Sequence, residues 1–357
     1  SLYKTQGKFT AAEPLFIRSL AIREKALGPD HPDVANSLID LGSFYQDQGK
    51  FGDAEPLFKR SLAIREKALG PEHLDVAYSL NSLAYLKTKQ GHYSEAERLH
   101  KRALAIGEKV LGPDHPDFAS GLNNLALLYQ DQGKFTEAEL LYKRAGAIAE
   151  KSFGPEHPDV ALYRSNLGYL YNAQGKYTEA EPIHSRVLSF RENALGPDHM
   201  AVAYSLHNLA FSYAGQGNYL EAERLYKRAL RIAEKAVGQD HPDIAYGLNN
   251  LAGMYNEQRR YPEAESSYRR SLAIREKTLP PKHPYIATTL NNLAYLHLAL
   301  DQPDRALNDS RRATAIYRSR ITEASASRDR SNEASRSRRG FSTHLSALAL
   351  NPLREAP

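Results

Sequence analysis

The chain has 357 residues, with 47 Lys and Arg against 42 Asp and Glu, no Cys and no Trp. The missing cysteine excludes disulfides, thiol nucleophiles and thiolate metal sites. The net charge of +5 sits at the end: from Arg311 onward ten Arg stand against four acidic residues, so the preceding body is near neutral. A near-neutral body argues against nucleic acid as its main ligand. No apolar run approaches the roughly 20 residues of a membrane span, and no signal peptide is visible. A cytoplasmic protein without a membrane partner is the expectation. The chain opens at Ser1 inside a repeat, which points to a fragment or a processed product.

A half-repeat comes first, within residues 1–30. Seven units follow, marked by His31, His73, His115, His157, His199, His241 and His283, each 42 residues after the last. A register that never slips means every unit does the same structural job. The unit from His115 shows the pattern. Its first segment, Pro116 to Gln132, places Leu122, Leu125, Ala126 and Tyr129 on one helical face. Pro116 suits the first turn, and Gly133 closes the helix. Its second segment, Glu137 to Lys151, packs through Ala138, Tyr142 and Ala145. Thr136 and Glu139 are spaced as a capping box, as are Thr10 and Glu13. Gly154 ends this helix, as Gly28, Gly70, Gly112, Gly196 and Gly238 end its equivalents. The last linker has Pro280-Pro281 instead.

Such a helix–turn–helix unit cannot bury its apolar face alone, but stacked neighbours can. The expected fold is all-α: a right-handed α-solenoid of helix–turn–helix repeats over residues 1–320. A polar, Arg- and Ser-rich linker is expected at 321–340. Residues 341–357 read as a short capping helix or the start of a further domain.

Leu125, Ala126, Tyr129, Ala138, Tyr142 and Ala145 resemble the consensus of the tetratricopeptide repeat. The 42-residue period, with LNNLA, QGK, EAE and LGPDHPDVA, resembles the kinesin light chain type. The resemblance implies a protein-interaction adaptor, with a protein or peptide partner. The sequence RRATAIY, followed by a segment like GFSTHLSAL, is similar to the junction in bacterial proteins where such arrays precede a caspase-like CHAT peptidase domain. The alternative reading is therefore the regulatory arm of a longer enzyme.

The first helix carries a second stripe, one residue off its packing face. At the Asn124 position the units read Asp40, Ser82, Asn124, Asn166, Asn208, Asn250 and Asn292. The position of Leu127 supplies Tyr85, Tyr169, Phe211 and Tyr295, and that of Ser120 supplies Tyr78, Tyr204 and Tyr246. In tetratricopeptide arrays this stripe lines the concave groove. An Asn amide both donates and accepts, so it could clamp a peptide backbone between aromatic walls. The same ladder could instead tie each helix to its neighbour. The carboxylate clamp of chaperone adaptors needs Lys or Arg here. The Ser120 and Asn124 positions have neither, so acidic chain ends are not the expected ligand.

One His per repeat cannot assemble a zinc site, because neighbouring helices lie roughly 10 Å apart while Zn–N bonds are about 2 Å. The histidines are expected to cap helices or pack linkers, and no cofactor is expected. Runs such as Arg65-Glu66-Lys67 read as a solvated outer face. There is no phosphate loop, nucleophile elbow or HExxH, so these residues read as non-catalytic.

Overall fold

The 42-residue period becomes a pair of helices in the computed structural model, which describes residues 9–326. α1 (Phe9–Leu27) is the half-repeat. The first helices of the units are α2 (Pro32–Asp47), α4 (Leu74–Lys89), α6 (Pro116–Asp131), α8 (Pro158–Ala173), α10 (Met200–Gly215), α12 (Pro242–Glu257) and α14 (Pro284–Ala299). The second helices are α3 (Phe51–Leu69), α5 (Tyr93–Leu111), α7 (Phe135–Phe153), α9 (Tyr177–Leu195), α11 (Tyr219–Val237), α13 (Tyr261–Thr278) and α15 (Pro303–Ala326). This is an all-α repeat solenoid. α15 runs past residue 320, where the array was expected to end. The rest of the proposed linker and all of 341–357 lie outside the described residues.

The chain divides into two compact units, one up to Tyr163 and one from Arg164. Inside the first, α2 touches α4 and α4 touches α6; inside the second, α10 touches α12 and α12 touches α14. First helices therefore form the inner layer of each unit, and second helices the outer one.

The turns repeat as the sequence does. Gly49, Gly91, Gly133, Gly175 and Gly217 take positive φ after the first helices. Arg259 (φ 59°) and Asp301 (φ 55°) hold the same left-handed position without glycine's freedom. Arg259→Gly is therefore expected to stabilise the chain by about 1 kcal/mol in urea unfolding. At the last linker the second helix stops one residue early, and Leu279 caps it in extended backbone before the two prolines.

Packing pairs small with large. Ala96, Ala138, Ala180, Ala222 and Ala264 are fully buried. A column of large side chains fills the space between helices: Phe58, His100, Tyr142, His184, Tyr226 and Tyr268, all below 5% exposed. Glycine makes room where needed: a Cβ on Gly42 would lie 2.8 Å from the Phe58 ring, and one on Gly168 would lie 2.6 Å from His184.

The expected capping box does not form. In α5, α7 and α9, which carry the box, the helix begins at the aromatic one residue before the Thr or Ser, and the N-cap residues His92, Lys134 and Lys176 make no side-chain cap bond. The glutamates bridge repeats instead. Glu13, Glu97, Glu181 and Glu223 accept hydrogen bonds from the hydroxyls of Tyr45 (3.0 Å), Tyr129 (3.2 Å), Tyr213 (3.3 Å) and Tyr255 (2.9 Å). Lys87 takes the tyrosine's place against Glu55, at 2.8 Å.

Candidate peptide-binding groove

The stripe lies on the inner layer. Asn124, Asn166, Asn208, Asn250 and Asn292 are all half-buried. Tyr78, Tyr85, Tyr169, Tyr204, Phe211, Tyr246 and Tyr295 are exposed, by 38 to 57%. Large aromatic faces left in solvent along a regular line need an explanation beyond folding. Each unit carries its own share of the line.

Several of these rings are held in place. The Arg65 guanidinium lies 5.5 Å from the Tyr78 ring centre, and Lys89 lies 5.0 Å from that of Tyr85. Tyr204 donates to Asp243 Oδ2 at 2.6 Å. Burial and then this carboxylate push the Tyr204 phenol above its ordinary pKa. Phe211 meets Tyr177 edge-on at 6.0 Å, and Tyr246 packs on His207 at 4.7 Å.

The amides divide. Asn250 donates to His207 Nε2 at 2.7 Å, and Asn292 to Asn249 Oδ1 at 3.1 Å. These two tie successive first helices together. Asn124 and Asn208 show no such tie among the described residues. The acceptor one step back from Asn124 would be Asn81, whose Oδ1 already receives His100 Nδ1–H at 2.8 Å.

The seven marker histidines cap helices. His31, His73, His115, His157, His199, His241 and His283 each accept, at Nδ1, the main-chain N–H two residues on, at 3.1 to 3.3 Å. His115→Ala is expected to cost about 1 kcal/mol, whereas His115→Asn should be near neutral by thermal melting, since Asn caps equally well. Among the described residues, no three His, Cys, Asp or Glu gather as a metal site.

The solvated reading of Arg65-Glu66-Lys67 holds for two of the three. Lys67 reaches Asp30 and Glu66 reaches Arg102 on the surface. Arg65 is only 3% exposed, and Arg275 only 4%. Arg65 donates to Ser79 Oγ at 2.8 Å and to the Asp75 carbonyl at 2.9 Å. Arg191 pairs with Ser205 (2.9 Å), Arg275 with Thr289 (2.5 Å), and Arg23 with Ser37. Burial lowers the pKa of Arg275 to about 10. The signal was present in the sequence: where the Arg occurs, Ser or Thr stands 14 residues later. Where Gly107, Ala149 or Ala233 replaces it, the later residue is Gly121, Tyr163 or Gly247.

No helix among the described residues is long and apolar enough to cross a membrane. The tetratricopeptide repeat profile matches residues 1–67, 39–109, 81–151, 117–192, 159–235 and 243–319, and a second such profile matches 208–277. No curated protein matches the chain. Among solved structures, a kinesin light chain-type protein of Podosopora anserina with nearly identical TPR-like repeats is 30% identical. The match covers 58% of this chain and 98% of that one, with a TM-score of 0.51. BtubC (BKLC) from P. vanneervenii is 24% identical over 65% of this chain and 92% of its own, with a TM-score of 0.54. A repeat protein from Parabacteroides merdae is 20% identical over 79% and 93%, also with a TM-score of 0.54. At those last two identities the likeness is one of fold. Tetratricopeptide arrays act as protein-interaction scaffolds, and those of kinesin light chain type are generally non-catalytic. The 42-residue register, the paired helices and these matches together make the chain a member of the tetratricopeptide repeat family, of the kinesin light chain-like kind.

Proposed function

We propose that the inner faces of the first helices hold an extended peptide or partner helix, and that the chain serves as a non-catalytic scaffold. The carrying observation is the line of exposed aromatics beside half-buried Asn amides on the layer where first helices meet. Aromatic rings offer apolar area at low entropic cost, and amides satisfy a ligand's main chain whatever its sequence. In this reading Asn124 contacts ligand directly in the first unit, and Asn208, with Asn166, does so in the second. Asn250 and Asn292 set the spacing between steps through their ties. In the first unit Tyr85 and Tyr78 stand on the two sides of the stripe; in the second, Tyr169, Phe211 and Tyr295 form one wall and Tyr204 and Tyr246 the other.

The test uses 12-residue random peptides displayed on phage and selected on the full chain. The chosen peptides are then titrated against a variant carrying Asn124→Ala, Asn208→Ala, Tyr85→Ala and Tyr169→Ala. These side chains are exposed or half-buried and carry no described tie between first helices, so circular dichroism should stay unchanged. Binding should fall at least about ten-fold, a loss of 1.4 kcal/mol or more. Unchanged binding by a folded variant would put the ligand surface elsewhere.

A further inference from the structure

The steps between repeats are not equivalent, and the exception lies in the proposed groove. Four steps fill the space between a second helix and the next first helix with the chain's own arginine: Arg23, Arg65, Arg191 and Arg275. In three of them the guanidinium also donates to the main-chain carbonyl ten residues on, Asp75, Ala201 or Tyr285, at 2.9, 3.4 and 2.7 Å. Where Ala149 replaces the arginine, Tyr163 fills the space, its hydroxyl 3.0 Å from Ser120 Oγ. Where Ala233 replaces it, His207 lies 5.1 Å from the Tyr226 ring and 4.7 Å from that of Tyr246, leaving only about 30 Å³.

At the Gly107 step both partners are glycine, and the residues matching His207 and Tyr246 are the smaller Asn81 and Ser120. A cavity of about 530 Å³ stays open between α4, α5 and α6. That is the size of a ligand pocket rather than a packing flaw. Tyr78, Tyr85 and Asn124, already placed in the groove, line its mouth, and Leu104 and Phe118 line its wall. Asp117 is the one charged residue in its lining.

We infer that this cavity receives an arginine side chain of the groove's peptide ligand, in the space that the chain's own arginines occupy at other steps. The inference rests on the groove reading and names the side chain that reading leaves open. The Asp117 carbonyl matches those of Asp75, Ala201 and Tyr285, so the acceptor an internal guanidinium uses is already in place. The Asp117 carboxylate supplies the opposite charge. Tyr78, which already has the Arg65 guanidinium over its ring, and Tyr85 offer faces for stacking. Leu104 and Phe118 suit the apolar stem of an arginine. Lysine, a compact and strongly hydrated point charge, cannot use planar faces in the same way.

The test labels the full chain with ¹⁵N-glycine, so that the Gly107 and Gly121 amides report from the cavity itself. The probes are acetyl-Ala-Ala-Xaa-Ala-Ala-amide peptides with Arg, Lys, Leu or Tyr at Xaa. The Arg peptide should shift both amides saturably, with the Lys peptide about ten-fold weaker. The double variant G107R/G121S rebuilds the Arg65–Ser79 pair; since it replaces both reporting glycines, its binding of the Arg peptide is read by isothermal titration calorimetry and should be lost. The Ser Cβ would come 2.8 Å from Leu104 Cδ2, so that flexible side chain must swing aside. Should the double variant not fold, D117N serves in its place, and it should remove most of the preference for Arg over Leu. A Leu or Tyr peptide that binds tighter than the Arg peptide overturns the inference, as does a set of peptides that leaves both amides unmoved. Groove peptides that bind G107R/G121S with unchanged residue preference also overturn it, while leaving the groove reading intact. The groove reading itself fails separately, on the Asn and Tyr variant described above.

Discussion

Acidification from pH 6.5 to 4 is expected to destabilise the array by on the order of 3 kcal/mol at each of three buried histidines. His100, His184 and His207 all have pKa values lowered by burial to about 4, from an ordinary value of 6.5. A lowered folded pKa means the folded state holds these rings neutral. Their stabilisation is complete above pH 6.5, declines as pH falls, and is gone by about 4. Geometry reinforces burial. The Nε2 atoms of His184 and His207 accept from the amides of Asn172 (3.2 Å) and Asn250 (2.7 Å). A proton added at either Nε2 would set one donor against another. Carboxylates act in a lower window. Burial raises Glu55 and Glu223, but hydrogen bonds from Lys59 and Lys87, and from Arg260 and Lys227, outweigh it and hold both at about 2. The Lys101 hydrogen bond leads in holding Glu97 at about 2. The contribution of these glutamates is lost only below their ordinary value of 4.5. Urea midpoints measured at pH 7, 5.5 and 4.5 should therefore fall within the histidine window. A variant with His100→Phe, His184→Tyr and His207→Asn should be nearly flat over the same range. A wild-type profile as flat as the variant's would show that these rings are solvated.

The helices were legible because burial imposes a period on them. Leu122, Leu125, Ala126 and Tyr129 recur every 42 residues on one face, and local spacing alone sets that face. What was not legible depends on partners far along the chain. Glu97 sits where a capping box would place it, yet its partner is Tyr129, 32 residues later. Arg65 stands beside Glu66 and Lys67 and matches them in composition. Its contacts with Ser79 and the Asp75 carbonyl on the next helix distinguish it, and in the sequence only the Ser 14 residues on hints at them. The Asn stripe was legible as a position. Whether an amide there is spent on a neighbour depends on the preceding first helix, which offers His207 to Asn250 but an already occupied Asn81 to Asn124.

The column of large side chains yields the second large effect. Tyr142 is 1% exposed, and its hydroxyl donates to Gln130 Oε1 at 3.2 Å. Tyr142→Ala should cost about 3–5 kcal/mol, because truncating a buried aromatic removes its transfer energy and leaves a cavity. Tyr142→Phe removes only the hydrogen bond and should cost about 1 kcal/mol, as Phe58 at the equivalent position suggests. A repeat contacts only its neighbours, so the Ala variant should open locally. Hydrogen exchange should quicken in α6 and α7 while amides in α12 and α13 keep their protection. Uniform loss of protection along the chain would mean that the array unfolds as one cooperative unit. Tyr142→His joins this prediction to the first. It places at this step the residue that His100 and His184 supply at theirs, with Asn123 at the position of Asn81 and Gln130 at that of Asn172. It should be tolerated at pH 7 and should steepen the decline in stability between pH 6.5 and 4. The column would then set both how firmly each step is packed and the pH at which it loosens.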